Sequence, residues 1–446
     1  GSRRLNLGND FARIAKSIVV EENTTYQISF YSRYNLATVL NADRTVVRIR
    51  HDNSTVSGDA ANEILTLDIP VATGQVWTYF SGTFTSSTTT ALYLLISHNA
   101  RTSGSNPNNA IWLDNLSIRK LGTFNGNSGN DFSNAANWDT NEVPTDDDVI
   151  IPAGQNVVLN EGVTVGNINI NASGSLTINA GGSLVIGEFG VPNGNITYKR
   201  TLQGGKWHFV TPPVEGATYN DTWIADNGIA SGQGNNRGIS TYQNGTADPT
   251  TGQWLYVQAG SSGTFETSKG YSLRRTVTGD VSFTGTYPTG AKPATVSIGE
   301  NAFNLVGNPY PTYLSIANFF VNNTAASSKL TEETVWIWDQ SANAGSGGYV
   351  QKTSGIDGTF QIAPGQAFFI NSGNASNIFF YQFNGTNQTD TFLKSEKTQA
   401  IVKVATNSVS STTELYYLPE GTNDFDNGYD GGNRWAGRRC AAPVPC

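Results

Sequence analysis

"TTYQISFYSRY", residues 24–34, alternates with a period of two that places Tyr26, Ile28 and Phe30 on one face. That is the signature of a half-buried strand. Working outward, the same alternation returns in "TVVRIRH" (45–51), "EILTLDI" (63–69), "VWTYFSGTF" (76–84), "ALYLLIS" (91–97) and "AIWLDNLSIRKL" (110–121). Strands separated by polar turns, with no helical period, specify a sandwich or jelly roll over residues 1–121.

Residues 122–198 change character. "GVTVGNINI", "GSLTINA" and "GGSLVIGEF" follow one another, and Ser175-Leu176-Thr177-Ile178 recurs eight residues later as Ser183-Leu184-Val185-Ile186. Short strands with Gly/Asn corners at a near-constant step read as stacked coils of a small parallel β-solenoid, with an ordinary meander as the alternative. Residues 199–395 are again β, richer in aromatics and broken by the loops "ASGQGNNRG" (230–238) and "SANAGSGGY" (341–349); "SIANFFVNN" (315–323) is the one short helix. Within this region "FNLVGNPYPTYLSI" (303–316) runs Phe303, Leu305 and Val306 into Gly307-Asn308-Pro309-Tyr310-Pro311. Each proline lacks a donor and holds the residue before it extended, which predicts a kink or tight turn at a sheet boundary. Residues 396–446 open a further strand set, "QAIVKVAT" and "TELYYLPEG", too short to close a domain of its own. The class is all-β, several β-modules in tandem.

Bulk numbers agree. Charged residues are 14% and glycines number 48, a low-charge, turn-rich composition expected of a secreted all-β protein. The net charge of −8 disfavours nucleic acid or an anionic membrane as partner. Cys440 and Cys446 are the two cysteines, so no disulfide framework staples the body, and no run of 18 apolar residues exists to span a bilayer. The sequence shows no signal peptide and contains no Met, and reads as an excised piece with Gly1-Ser2 as a cloning scar.

The search for chemistry finds little that could break bonds. His51, His98 and His208 are scattered, His208 reading as a sheet residue within "KWHFV". Nucleophile-elbow, Walker, HExxH and dinucleotide motifs do not occur. Asp146-Asp147-Asp148 reads as a solvated turn with one side chain capping the strand start, against an ion site as the other reading. Asp424, Asp426 and Asp430 begin like a Ca²⁺ loop, but the twelfth position is Trp435 rather than Glu. Aromatics offer other chemistry: a glycan site needs an aromatic platform flanked by amides or carboxylates. Trp77, Tyr79 and Trp112, with Asn108 and Asn109 in the adjoining loop, supply both types, although Trp77 and Trp112 would equally serve as core plugs.

"TTYQISFYSRY", "VWTYFSGTFTSS" and "IWLDNLSIRKL" resemble the strands of a family 4/9-type carbohydrate-binding module. The resemblance implies a jelly roll, a glycan partner and a structural Ca²⁺ held partly by the closing-strand acid, here Asp114; the module's usual opening strand is absent. "FSNAANWDTNEVPTDDDVIIPAGQNVVLNEGVTVGNINI" resembles solenoid segments of bacterial surface proteins. "GKWHFVTPPVEG", "SKGYSLRR", "VSFTGTYPTG" and "FNLVGNPYPTYLSI" resemble a β-domain of exported Bacteroidetes proteins that use the type IX secretion system. "ELYYLPEGTNDFDNGYDGG" resembles the opening of their export tails, from which "NRWAGRRCAAPVPC" departs. These likenesses imply four regions: a carbohydrate-binding-module-like jelly roll (1–121), a short solenoid (122–198), a β-domain with the GNPYP motif (199–395) and an incomplete export region (396–446). The implied function is a noncatalytic, glycan-binding, adhesin-like protein at the surface of a Gram-negative bacterium, with the type IX machinery as a further partner. The alternatives are the accessory part of a secreted polysaccharide-degrading enzyme or peptidase, and a fibre or sheath subunit.

Overall fold

The computed structural model describes residues 3–5, 12–34, 44–53, 61–70, 75–87, 91–99, 111–245, 253–324, 329–340, 342, 347–388, 399–405 and 410–416. Nearly all regular structure is β-strand. The chain divides into two units: residues 1–157, 164–175 and 186–194 form the first, and residues 158–163, 176–185 and 195–446 the second.

In the first unit, strands β1 (Arg3–Leu5) to β8 (Ile111–Thr123) build two antiparallel sheets. One has the order β2 (Ala12–Ile18), β7 (Leu92–Asn99), β4 (Arg44–Arg50), β5 (Glu63–Ile69). In the other, β3 (Thr25–Tyr34) lies between β6 (Thr78–Thr85) and β8, with β1 also paired to β8. A single core joins them: Tyr26, Ile28, Phe30, Tyr34, Phe84, Ile111 and Leu113 from one sheet, Val47, Ile49, Leu92, Leu94 and Ile96 from the other. The alternation of 24–34 is therefore realised as a sandwich strand. Phe30 stacks on Phe80 and Tyr26 on Phe84 across the β3–β6 pair, and Gly82 leaves room where a Cβ would strike Leu67. Buried Arg50 is neutralised by Asp52 and Glu63, both at 3.0 Å.

Strand β8 outlasts the sandwich. Its last residues pair in parallel with β9 (Asp148–Ile151), Leu121 opposite Asp148, and β9 pairs in parallel with the strand Asn167–Ile170. A parallel bridge then joins Asn169 to Asn193, and the Asn193 amide donates to Asn169 Oδ1 at 3.0 Å. Parallel pairing between short strands whose connection holds further short strands and turns is what a coil produces and a meander does not. Before β9, residues 124–139 wrap around Trp138, fully buried edge-to-face against Phe124 and Phe132, its indole N–H donating to Phe132 O.

In the second unit Leu176 and Ile178 are buried on a parallel strand that continues the repeat, paired to Asn195–Leu202, and the Asn179 amide donates to Asn160 Oδ1 at 2.8 Å. Two four-stranded antiparallel sheets follow: Trp207–Val210, Tyr271–Arg274, Asn236–Tyr242, Trp254–Gln258; and Phe303–Gly307, Ala367–Asn371, Thr334–Asp339, Gly348–Thr353. The expected helix is Ile316–Val321, N-capped by Ser315 Oγ, which accepts from Asn318 N, and burying Ile316, Phe319 and Phe320. A second helix, Asp221–Asp226, capped by Asn220, was not legible in the pattern because it buries only Ile224.

The kink after Phe303–Gly307 is built around Asn308, fully buried. Its amide donates to Thr312 O (2.7 Å) and Ala363 O (3.3 Å), and its Oδ1 accepts from Tyr310 N (3.2 Å). One side chain thus replaces the backbone partners the two prolines cannot supply. Tyr310 is buried beside it, donating to Gly290 O and Phe380 O; burial raises its hydroxyl well above the ordinary range. Residues 399–405 and 410–416 form a hairpin. The acids of 424–430 and both cysteines lie outside the described residues.

Candidate functional site

Trp77 and Trp112 are not core plugs. In β3 the residues between the core positions are Gln27, Ser29, Tyr31 and Arg33, and these share the opposite face. Register places Tyr79 opposite Tyr31, Ser81 opposite Ser29, and Trp112 opposite Arg33. Trp112 alternates with buried Ile111 and Leu113, so its ring lies on the same outward side; Trp77 is 37% exposed. From Arg33 to Gln27 the face runs about 20 Å along the strand at ~3.3 Å per residue.

Each ring is held. The Arg33 guanidinium carbon lies 5.0 Å from the Trp77 ring centroid and 5.6 Å from that of Trp112, so the three groups form one stack. Tyr31 and Tyr79 pair at 5.3 Å. Burial pushes the Tyr79 hydroxyl up, opposed by hydrogen bonds from Ser29 and Ser81 and reinforced by the charge of Asp148. The product is an aromatic strip flanked by Ser29, Ser81 and Ser117. Tyr31 and Arg33 were missed from sequence, although the alternation that assigned Ile28 inward assigns them outward.

Asn108 and Asn109 lie outside the described residues. Asp114 stands opposite Tyr31 in register, at a bulge where Asn115 takes φ 54°, and its Oδ1 accepts the Asn115 N–H at 3.0 Å. Among the described residues no group of three or more His, Cys, Asp or Glu side chains stands together. Ca²⁺ takes six to eight oxygens, so the Asp114 carboxylate would be one contributor among several.

The triplet 146–148 separates by role. Asp147 Oδ2 accepts from Thr145 N at 3.3 Å, as expected of a capping acid, and Asp146 turns the chain at φ 59°. Asp148 departs from the solvated turn: it is buried, and burial pushes its carboxyl up to about 6 against the opposing pull of Arg119. Parallel pairing with β8 draws its strand into the sheet. Gly166 makes the space, since a Cβ there would collide with both Arg119 and Asp148.

His208 sits in the strand Trp207–Val210, buried and bonded to Gln203 O at 3.1 Å, with burial lowering its pKa; it is a sheet residue. His51 is exposed and belongs to no group of three or more candidate metal ligands among the described residues. The second unit holds a cavity of about 420 Å³ lined by Tyr242, Asn244, Glu266, Lys269, Phe303 and Asn304. Its polar wall is closed on itself: Asn244 and Asn304 both donate to Ser297 O, and Lys269 pairs with Glu266 at 2.6 Å.

Comparison with known proteins bears mainly on the second unit. The chain belongs to the family described as a domain of unknown function (DUF8693), matched over residues 156–439. The aromatic strip lies outside that match. No curated protein matches the sequence. Among solved structures, the chain is similar to a "Family 16 Carbohydrate Binding Module-2" at 18% identity, over 26% of this chain and 73% of the other, with a TM-score of 0.19. It is also similar to "CBM4 structure and function" (15%, 24% and 60%, TM-score 0.18). A third is "EclA C-terminal domain; sugar-binding protein" (14%, 27% and 77%, TM-score 0.20). Likeness at this level says nothing about a ligand.

Proposed function

We propose that the outward face of the first sandwich binds a saccharide chain without cleaving it, and that the protein is an exported, adhesin-like surface protein. The observation that carries this is the gathering of Trp77, Tyr79 and Trp112, with Tyr31, on one face pointing away from the oily core. Flat rings take the C–H faces of sugars, and the neighbouring hydroxyls take their polar rims. An open sheet face of this kind gives weak single-site affinity, about millimolar, so retention relies on many copies or repeated ligand units. The GNPYP and tail resemblances and the low-charge composition support an extracellular location through type IX export.

The test is retention of the full chain on immobilised polysaccharides. Wild-type protein is expected to be retarded and the Trp112→Ala variant to elute unretarded. Absence of any retention, with ordered self-assembly instead, would favour the fibre reading; hydrolysis would overturn the noncatalytic one. A Ca²⁺ at Asp114, with backbone carbonyls as its remaining ligands, is a separate proposal: chelator is expected to lower the melting temperature, and an unmoved transition removes the ion.

A further inference from the structure

Arg33 stands out among the buried and half-buried arginines. Arg48 and Arg50 meet Glu63, Arg200 donates to Pro364 O, and Arg275 donates to Asp280 O. Arg33 lies between two indole rings and has no carboxylate within ion-pair distance among the described residues; its Nε is buried with no hydrogen-bond partner, as are those of Arg48, Arg200 and Arg275. Asp114, the acid on the same face, is opposite Tyr31 rather than Arg33, and its Oδ1 is engaged by its own neighbour's N–H.

A guanidinium flanked by ring faces keeps its N–H groups in its own plane, where they match the two oxygens of a carboxylate or sulfate. The guanidinium is partly stripped of water by the indoles and has no counter-anion among the described residues. A spacer between two rings would need neither property. We infer that Arg33 receives an anionic substituent, a uronate carboxylate or a sulfate ester, of a saccharide chain lying on the aromatic strip. This rests on the glycan reading above and narrows its ligand to acidic polysaccharides.

Affinity electrophoresis of the full chain would use four acidic polymers: polygalacturonate, alginate, chondroitin sulfate and dextran sulfate. Their neutral counterparts would be carboxyl-reduced polygalacturonate, dextran, laminarin and xylan. An acidic polymer is expected to bind about ten- to a hundredfold more tightly than the neutral ones at low salt, the range of a charge-assisted bidentate contact. Whether uronates or sulfates lead distinguishes the two anion sources. Arg33→Gln should abolish the preference for acidic over neutral polymers, whatever it does to overall affinity through the ring stack, and Arg33→Lys, with charge but no fork, should restore only part of that ratio. Tightest binding to neutral polymers would overturn the inference and leave the glycan reading standing, as would an Arg33→Gln variant that keeps the acidic preference. Failure to bind any polymer would bring down both. The wild-type panel decides even if a variant does not fold.

Discussion

The outward face of the first unit's sandwich and the core of the second unit treat aromatic residues in opposite ways. In the first, Trp77, Tyr79 and Trp112 stand on the far side of the sheet from the core, stacked with Arg33 and Tyr31. In the second, Phe209, Trp254, Trp336, Trp338 and Phe369 turn toward one another in a cluster that also holds Leu305 and Ala367. Neighbouring residues Leu305 and Val306 are both buried there, as are Trp336 and Ile337, because their strands are covered on both faces. An aromatic in a strand is thus a packing residue where both faces are covered and a candidate contact where only one is. Local composition looks the same in either case.

Breaking the inward arrangement should cost most. Trp138→Ala removes a fully buried ring held by Phe124, Phe132 and the Phe132 carbonyl, and a loss of about 3–5 kcal/mol in chemical denaturation is expected. Asn308→Ala strands Tyr310 N and the carbonyls of Thr312 and Ala363, and is expected to cost on the order of 2–4 kcal/mol, at about 1–3 kcal/mol per unsatisfied group partly relieved by water. A second-unit transition that stays at its wild-type temperature would show that the kink is held by the prolines alone.

Asp148 sharpens the comparison through pH. Its carboxyl is raised in the fold from 3.8 to about 6, so it favours folding in its protonated form. That contribution is fully present below the unfolded value and is lost as pH rises through about 6. The first unit should therefore soften between pH 4 and 7, and Asp148→Asn should flatten that slope and stabilise at neutral pH by roughly 2–3 kcal/mol, at about 1.4 kcal/mol per pKa unit. Parallel melting curves for the two proteins would reject the assignment. The smallest effect on stability is expected at the outward face: Trp112→Ala should change unfolding free energy by about 1 kcal/mol or less while abolishing retention on polysaccharide. A cost like that of Trp138→Ala would place it in the packing class.

Much of this was legible in residue order. Period-two alternation marked the strands of the sandwich, short strands with Gly/Asn corners marked the coiled segment, and the Pro-x-Pro pair marked the kink, whereas the eight-residue recurrence of Ser-Leu-x-Ile fell on strands of two different sheets rather than on stacked neighbours. The aromatic members of the face were nameable as well. Their partners were less visible, because Arg33 and Tyr31 read as ordinary polar-side residues until β6 and β8 bring Trp77, Tyr79 and Trp112 beside them. Burial of Asp148 was hidden for the same reason: a run of three acids looks solvated, and only the parallel pairing of Leu121 with Asp148 draws the third into a sheet.

The chain order alone determined that this is a row of β-modules with little charge, since alternation and turn chemistry act over a few residues and need no distant partner. Tertiary structure decided which aromatics face inward, which arginine stacks between two indoles and which acid loses its water. Those properties belong to the space between strands dozens of residues apart, and that space exists only once the sheets have closed.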